Sequence, residues 1–322
     1  MKILITGGCG FIGSHLVDTL IKRETNVEIV DDLSTGKIEN ISLHLKNKKL
    51  NLWIDSVLNK SLIDELVAKN DFIFHFASAV GVKKILDNPL LSIESNIEGA
   101  KNIFTSASKY KKPVLFASTS EIYGKNENVP FKEDADIVLG PTFKKRWGYA
   151  CSKAMDEFLA FAFKEERGLN VIITRLFNTV GPRQSESYGM VLPRFVLQSL
   201  SDKDITVFKD GAQSRCFIHV YDVVDAFLEI LDSPDKAYGE IFNIGTTEET
   251  TILNLAHMIK RLTNSMSKII FINPESIYNT GFQDMEKRVP DITKINKLLN
   301  FTPKYSLEDI IKDVIKYFKS GR

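Results

Sequence analysis

Two residues in one stretch of the chain have the types and the spacing of a proton-transferring pair. Tyr149 and Lys153 are four positions apart, and on a helix this spacing puts both side chains on one face, one turn from each other. The apolar periodicity of residues 154–163 predicts that this helix is buried. A nearby ammonium favours the phenolate, so Lys153 is expected to lower the pKa of Tyr149. Tyr149 is therefore a candidate general base near neutral pH, although such a pair is also found on ordinary helix surfaces.

A polar turn, 118–124, follows the predicted strand 113–117 and adds three further candidates for chemistry. It contains Thr119, Ser120 and Glu121. In an open parallel sheet, groups just past the carboxyl ends of the strands line the ligand crevice. The alternative is that the turn only caps its strand.

The amino-terminal end carries a glycine motif that predicts a dinucleotide site. A β-branched strand, 2–6, precedes glycines at positions 7, 10 and 13, and an apolar helical pattern follows over 14–21. The first two glycines let the backbone turn tightly and approach a pyrophosphate, and the third lets the helix lie close to the sheet. The start of the helix then faces the phosphates. The loop residues assigned to the cofactor are Gly7, Gly10, Phe11, Ile12 and Gly13.

Acidic and small residues at the ends of the next strands complete the predicted cofactor site. Asp31 ends the second strand, 18 positions after Gly13, where a carboxylate can accept hydrogen bonds from the adenosine ribose hydroxyls. It would also repel a 2′-phosphate, so NAD is expected in preference to NADP. Asp32 is assigned to the same site, Asp55 is placed to meet the adenine amino group, and the small Ala77 allows close approach of the cofactor.

The elements that must position these residues alternate between strands and helices. Strands are predicted over 2–6, 27–30, 50–55, 71–78 and 113–117, and helices over 14–21, 93–110 and 149–166. This alternation predicts an α/β fold, a doubly wound parallel Rossmann sheet with helices on both faces. The predicted division is an NAD-binding domain over 1–175, to which 216–242 returns, and a smaller mixed α/β substrate domain over 176–322.

Composition excludes several classes of function. The chain has 322 residues, 43% hydrophobic and 26% charged, with a formal net charge of +1, which favours neither nucleic acid nor a bare membrane surface as partner. No apolar run approaches the length of a membrane span, and the apolar run at the start of the sequence is too short for a signal peptide. Three cysteines without metal spacing suit a reducing cytoplasm. No metal is expected, and Cys151 is expected to be a small buried packing residue.

Taken together, the motifs make the chain resemble the extended short-chain dehydrogenase/reductase superfamily, and within it the nucleotide-sugar epimerases, dehydratases and decarboxylases. They are the glycine motif, the turn at Thr119, the Tyr149-x-x-x-Lys153 pair and the segment 175–183, which is similar to the family's R-x-F-N-x-x-G-P-R. The resemblance implies bound NAD, oxidation of the sugar C4 hydroxyl, reaction of the 4-keto sugar and, in most members, return of the hydride. It also implies a homodimer, with helices 93–110 and 149–166 pairing across a two-fold axis.

The resemblance also implies roles for individual residues. Tyr149 would take the C4 hydroxyl proton, Thr119 would hydrogen-bond the same oxygen, and Lys153 would hold the ribose. A guanidinium binds phosphate oxygens through two parallel bonds, which makes arginines candidates for the diphosphate of a UDP-sugar. The candidate substrate ligands are Asn178, Arg194, Arg215 and Arg288.

Three hypotheses on function remain open. Ser-Thr-Ser-Glu at 118–121 and Arg288-x-Pro-Asp resemble the UDP-glucuronate decarboxylases, in which an arginine at this place lies near the substrate carboxylate; against this, residues 79–82 depart from the decarboxylase pattern. The first hypothesis is therefore decarboxylation of UDP-glucuronate. The second is a 4-epimerase or 4,6-dehydratase of another nucleotide sugar. The third is a non-catalytic NAD-binding regulator on the same fold, against which the intact Thr119, Tyr149 and Lys153 argue.

Overall fold

A seven-stranded parallel sheet forms the centre of the computed structural model, which describes residues 1–78, 88–185, 190–273, 285 and 287–321. The strand order is β11-β6-β5-β4-β1-β2-β3, and every pairing between neighbours is parallel. The strands of this sheet are β1 (Lys2–Thr6), β2 (Asn26–Val30), β3 (Leu50–Trp53), β4 (Phe72–His75), β5 (Val114–Thr119), β6 (Val171–Leu176) and β11 (Ile241–Ile244).

Helices cover both faces of the sheet. The helices of the described residues are α1 (Phe11–Lys22), α2 (Lys60–Lys69), α3 (Pro89–Tyr110), α4 (Arg146–Arg167), α5 (Val191–Leu200), α6 (Val220–Asp232), α7 (Ile252–Thr263), α8 (Thr293–Leu299) and α9 (Leu307–Lys319). One face packs against α1, α6 and α8, and the other against α2, α3 and α4. This confirms the predicted doubly wound sheet.

The apolar strands divide their side chains between these two cores. In β1, Ile3 and Ile5 join the core under α1 and α6, whereas Leu4 between them joins the core under α2 and α3. Successive side chains of a strand point to opposite faces. Continuous apolar runs are therefore what a sheet buried on both faces requires.

Several boundaries differ from the predicted ones. Strand β3 ends at Trp53 and β4 at His75, so Asp55 and Ala77 lie in the loops beyond their strands. Strand β5 extends to Thr119, and 120–123 form a 3-10 helix. Helix α3 begins at Pro89, since proline is well suited to a first helical turn, and α4 begins at Arg146. Tyr149 therefore lies in the first turn of its helix rather than at its start.

The carboxyl-terminal part supplies three two-stranded sheets and a third core. The pairs are β7 (Thr179–Val180) with β10 (Ile218–His219), β9 (Ser214–Cys216) with β12 (Glu249–Thr251), and β8 (Ile205–Phe208) with β13 (Ile269–Ile272). Helices α5, α7 and α9 pack together over them. The chain returns to the large sheet through α6 and β11; the division into two domains stays a prediction.

Two other expectations have their outcomes here. Cys151 is exposed on α4, so its expected burial is wrong: the helix face that carries it, with Met155 and Phe158, points away from the sheet. Segment 79–82, which departs from the decarboxylase pattern, lies outside the described residues, as do residues 186–189. Within the part of the chain that the structure describes, no helix has the length and apolar character to cross a bilayer.

Candidate active site

A pocket of about 620 Å³ opens at the carboxyl ends of the sheet strands, facing the carboxyl-terminal part. Its wall brings together all but one of the candidate site residues. They are Gly7, Gly10, Phe11, Ile12, Gly13, Asp31, Asp32, Asp55, Ala77, Thr119, Ser120, Glu121, Tyr149, Asn178, Arg194, Arg215 and Arg288. The exception is Lys153, which is buried behind the wall.

The glycine loop has the shape that a pyrophosphate needs. Gly7 has a φ of +76°, and a Cβ there would come within 2.9 Å of the Ala77 nitrogen. At Gly13 a Cβ would collide with the carbonyl oxygen of Gly7. Helix α1 begins at Phe11 with no side chain capping it, so its first backbone N–H groups are available to an anion. The residues present therefore fit a dinucleotide.

The carboxylates beside this loop are held by backbone groups. Asp31 accepts hydrogen bonds from the backbone N–H of Cys9 and of Leu33, both at 2.9 Å. Burial raises the pKa of Asp31, while these two hydrogen bonds oppose the rise. Asp55 accepts from the backbone of Ser56 at 2.7 Å. Both side chains are thus fixed at the end of the pocket where the adenosine of a dinucleotide is expected.

Tyr149 meets the ends of two strands. Its hydroxyl is hydrogen-bonded to Thr119, the last residue of β5, and to Ser78, just past β4. Burial raises the pKa of Tyr149 above its usual range, the charge of Glu121 raises it further, and the two hydrogen bonds oppose the rise. The pKa of Tyr149 in the protein alone is therefore raised rather than lowered, and the expected lowering by Lys153 stays a prediction.

Lys153 lies beside an aromatic ring and a carboxylate. Its Nζ lies 3.9 Å from the centre of the Phe116 ring and 3.6 Å from Oδ2 of Asp156. Burial lowers the pKa of Lys153, and the charges of Asp156 and Glu157 oppose the fall. Asp156 is not among the candidate residues from the sequence. A carboxylate three positions after a lysine on a helix usually lies at the surface, in contact with water.

A polar chain that the sequence does not reveal runs behind Tyr149. Ser78 Oγ donates to Oδ1 of Asn96 at 2.9 Å, and Nδ2 of Asn96 donates to Ser152 Oγ at 3.2 Å. Ser152 Oγ donates in turn to the carbonyl of Tyr149 at 2.9 Å. Tyr149 and Ser152 are three positions apart on one helix, but no spacing in the sequence joins them to Ser78 or Asn96.

His75, at the end of β4, is a core histidine. It is hydrogen-bonded to Thr6 at 2.7 Å, and burial lowers its pKa to about 3.

Glu121 and Arg288 face each other in the pocket. The distance between Nη2 of Arg288 and Oε1 of Glu121 is 2.9 Å, and Nε of Arg288 is buried without a hydrogen-bond partner. Backbone hydrogen bonds at 2.8 Å join Phe131 to Val289 and Asp291. These bonds fix the segment that carries the arginine, so two candidates far apart in the chain form one ion pair.

The remaining candidates occupy the other end of the pocket. Arg215, on β9, donates to the carbonyl of Ser214 at 2.7 Å, and Asn178 donates to the carbonyl of Cys216 at 3.0 Å. The guanidinium of Arg194 lies 4.7 Å from the ring centre of Phe208. Phe208 and Gln213 also line the pocket; neither is a candidate from the sequence, because neither lies in one of its motifs.

Comparisons with known sequences agree with this geometry. Residues 4–314 match a family model described as GDP-mannose 4,6 dehydratase. Over 321 residues the chain is 42% identical to a UDP-N-acetyl-alpha-D-glucosaminuronate decarboxylase of Bacillus cytotoxicus, covering 99% of this chain and 98% of that protein. It is 34% identical to UDP-glucuronic acid decarboxylase 1 of Danio rerio, covering 98% of this chain and 72% of that protein.

Solved structures give a second comparison. A UDP-glucuronic acid 4-epimerase from Bacillus cereus, in complex with UDP-glucuronic acid and NAD, is similar over all of both chains, with 26% identity and a TM-score of 0.90. A UDP-glucose 4-epimerase from Thermotoga maritima, with UDP-glucose, is 30% identical, with a TM-score of 0.88 over 100% of this chain and 99% of that one.

Proposed function

The chain belongs to the NAD-dependent nucleotide-sugar epimerase and dehydratase family of short-chain dehydrogenase/reductases, and we propose that within it the chain decarboxylates a UDP-uronic acid. It is an NAD-dependent nucleotide-sugar enzyme. The substrates we propose are UDP-glucuronate and its 2-acetamido counterpart, the sugar that the 42% identical relative is named for. The observation that carries the proposal is the Arg288–Glu121 ion pair inside the pocket, because Arg288 can exchange one carboxylate for another.

In this proposal the protein's own groups bind the cofactor and move protons. The glycine loop and the start of α1 hold the pyrophosphate, and Asp31 holds the adenosine ribose. When bound, NAD supplies the hydride acceptor and donor, together with a positive charge that favours the Tyr149 phenolate. Tyr149 takes the C4 hydroxyl proton. Thr119, which is hydrogen-bonded to Tyr149, donates a hydrogen bond to the same sugar oxygen.

The step after oxidation depends on the new ketone at C4. When the bond between C5 and the carboxylate breaks, carbon dioxide leaves and the electron pair delocalises onto the C4 oxygen as an enolate. A proton would then be added at C5. Return of the hydride to C4, and of the proton held by Tyr149 to the C4 oxygen, would restore the alcohol. Arg288 would hold the carboxylate before it leaves, while Glu121, released from Arg288, would orient the sugar or handle the proton at C5.

A 4-epimerase is the second candidate. It is favoured by the likeness over the whole chain to a 4-epimerase that binds UDP-glucuronic acid, since both activities share C4 oxidation and the same uronate. A 4,6-dehydratase is a third outcome, in which Glu121 would remove the C5 proton.

The cytoplasmic location of the protein remains a prediction.

One incubation separates these chemistries. The protein is mixed with UDP-glucuronate, UDP-N-acetylglucosaminuronate, UDP-glucose or GDP-mannose, and the products are read by mass spectrometry. Loss of carbon dioxide from a uronate supports the proposal. An isomer of unchanged mass would make the enzyme an epimerase, and loss of water from UDP-glucose or GDP-mannose would make it a dehydratase. The Tyr149→Phe protein, given the same sugars, is the control for contaminating activities.

The first prediction concerns the choice of dinucleotide. We expect the wild-type protein to bind NAD more tightly than NADP, because Asp31 accepts from the ribose hydroxyls and repels a 2′-phosphate. Asp31→Asn keeps the shape and removes the charge, so the preference is expected to fall by roughly tenfold or more. Titration of both dinucleotides into both proteins measures it. Tighter binding of NADP by the wild type would overturn the role given to Asp31.

The second prediction concerns assembly. Leu90 on α3 and Phe158 on α4 are 68% and 67% exposed, and Met155 is 49% exposed. Exposed apolar side chains on two adjacent helices favour burial against a second copy, so we propose a homodimer formed by α3 and α4. Light scattering at micromolar concentration should give twice the mass of the chain. Phe158→Glu should give monomers, whereas Phe271→Glu, at an equally apolar exposed site on β13, should not; a monomeric wild type would contradict the proposal.

A further inference from the structure

Asp156 is a buried carboxylate that faces a lysine. It lies on α4, is 0% exposed, and among the described residues neither of its side-chain oxygens has a hydrogen-bond donor within 3.5 Å. A charge in such a place is expensive unless it is paired. The cation near it is Lys153, whose Nζ is 3.6 Å from Oδ2. At that distance the contact is an ion pair that includes at most one long hydrogen bond.

Neighbouring groups do not offer Lys153 an equivalent partner. Glu157, next to Asp156, is bound by Arg175 at 2.7 Å and by the hydroxyl of Ser118. His75 faces the lysine from β4, and with a pKa of about 3 it is neutral at physiological pH. Tyr149 lies one turn away on α4 and is neutral in its phenol form. Among the described residues, Asp156 is thus the carboxylate near Lys153 that no arginine binds.

We propose that Asp156 is a positioning residue, which keeps the Lys153 ammonium charged and behind the active-site wall. The ammonium has three donors, so one long contact with Asp156 at 3.6 Å leaves donors available for the hydroxyls of a cofactor ribose. The inference rests on the roles proposed for Tyr149 and Lys153, and it adds a residue through which both are controlled.

The electrostatics give the proposal a definite sign. The negative charge of Asp156 opposes the lowering of the Lys153 pKa and helps to raise the Tyr149 pKa. Removing that charge lowers both pKa values. Lys153 then loses its proton at lower pH, and Tyr149 becomes a base at lower pH, so both limbs of the pH profile of C4 oxidation move towards acid.

Stability is expected to change in a different way. Burial raises the pKa of Asp156 from 3.8 to about 6. A group whose folded-state pKa is raised favours the folded state while it is protonated, and this contribution is lost as pH rises through about 6. Above that pH a neutral amide avoids the burial of charge. Asp156→Asn should therefore fold, with a Tm at pH 8 no lower than that of the wild type.

The test compares Asp156→Asn with two other proteins. Across pH, the affinity for NAD is measured by displacing bound nucleotide with labelled NAD, and C4 oxidation is measured in single turnovers. The alkaline loss of NAD affinity should move to lower pH by roughly one to three units, the range for losing a charge at this distance. Asp156→Glu, which retains the charge, should restore most of the profile. Asp64→Asn, a carboxylate on α2 bound by Lys109 at 2.8 Å, should leave it unchanged.

A double mutant decides whether Asp156 acts through Lys153. In a Lys153→Met background, Asp156→Asn should produce no further shift of the alkaline limb. An unchanged alkaline limb in Asp156→Asn, or a shift that persists without Lys153, would overturn the proposal. Asp156→Ser gives a second neutral variant if the amide does not fold. NAD binding needs no sugar, so failure of the decarboxylase proposal leaves this readout intact.

Discussion

Tyr149→Phe is expected to lower the rate of C4 oxidation by roughly a hundredfold or more, the scale of losing a general base. The ring stays in the first turn of α4, and the lost groups are the hydroxyl and its hydrogen bonds to Thr119 and Ser78. The variant should fold, because phenylalanine fills the same space. It should also bind NAD, because the glycine loop and Asp31 are untouched.

The measurement separates chemistry from binding. Single turnovers with a uronate sugar are followed by the formation of reduced cofactor, and NAD affinity is measured on the same preparation. Tyr110→Phe is the matched control: its hydroxyl donates to Asp64 at 2.8 Å, outside the pocket, and its loss should leave the rate unchanged. Near-normal turnover by Tyr149→Phe would remove Tyr149 as the base.

The acidic limb of the pH profile of C4 oxidation should follow the ionisation of Tyr149. Its pKa is raised by burial and by Glu121, so the phenol by itself is a poor base at neutral pH. The sequence led to the opposite expectation, because spacing on a helix says that Tyr149 and Lys153 share a face and says nothing about which other charge each one meets. That information depends on the fold, which buries Tyr149 near Glu121 and places Lys153 beside the buried Asp156.

What the sequence predicts well is local. A strand, three glycines and a helix in immediate succession determine their own geometry, and the positive φ of Gly7 and the contact at Gly13 follow from that short segment. The strand before the Thr119 turn was also predicted, although β5 ends at Thr119 and not at 117. The chain of Ser78, Asn96 and Ser152 is not, because its members come from three elements brought together by the order of the strands.

The ion pair between Glu121 and Arg288 is the clearest case of a contact that only the fold reveals. Each residue was a candidate alone, Glu121 for the step after oxidation and Arg288 for a uronate carboxylate. The structure joins them at 2.9 Å. A substrate carboxylate bound by Arg288 would therefore compete with Glu121, and the chemistry of each residue depends on the other.

Glu121→Gln is expected to separate oxidation from the step that follows it. Tyr149 and Thr119 suffice for oxidation at C4, so the variant should form reduced cofactor in a single turnover but release little final product. The pKa of Tyr149 should also fall in this variant, because the charge of Glu121 raises it in the wild type. Oxidation should then begin at lower pH than in the wild type. Loss of the reduced-cofactor signal itself would assign Glu121 to the oxidation step.

Arg288→Ala tests which anion of the substrate Arg288 binds. We expect the loss of affinity to be larger with UDP-glucuronate than with UDP-glucose, by roughly tenfold or more. The reason is that only the uronate has a carboxylate that can form a buried, charged hydrogen bond with Arg288. Arg215→Ala is the matched comparison: as a candidate diphosphate ligand on β9, it should weaken both sugars equally. Equal losses for Arg288→Ala would make Arg288 a phosphate ligand as well. The decarboxylase proposal would then lose the observation that carries it, while C4 oxidation by Tyr149 would stand.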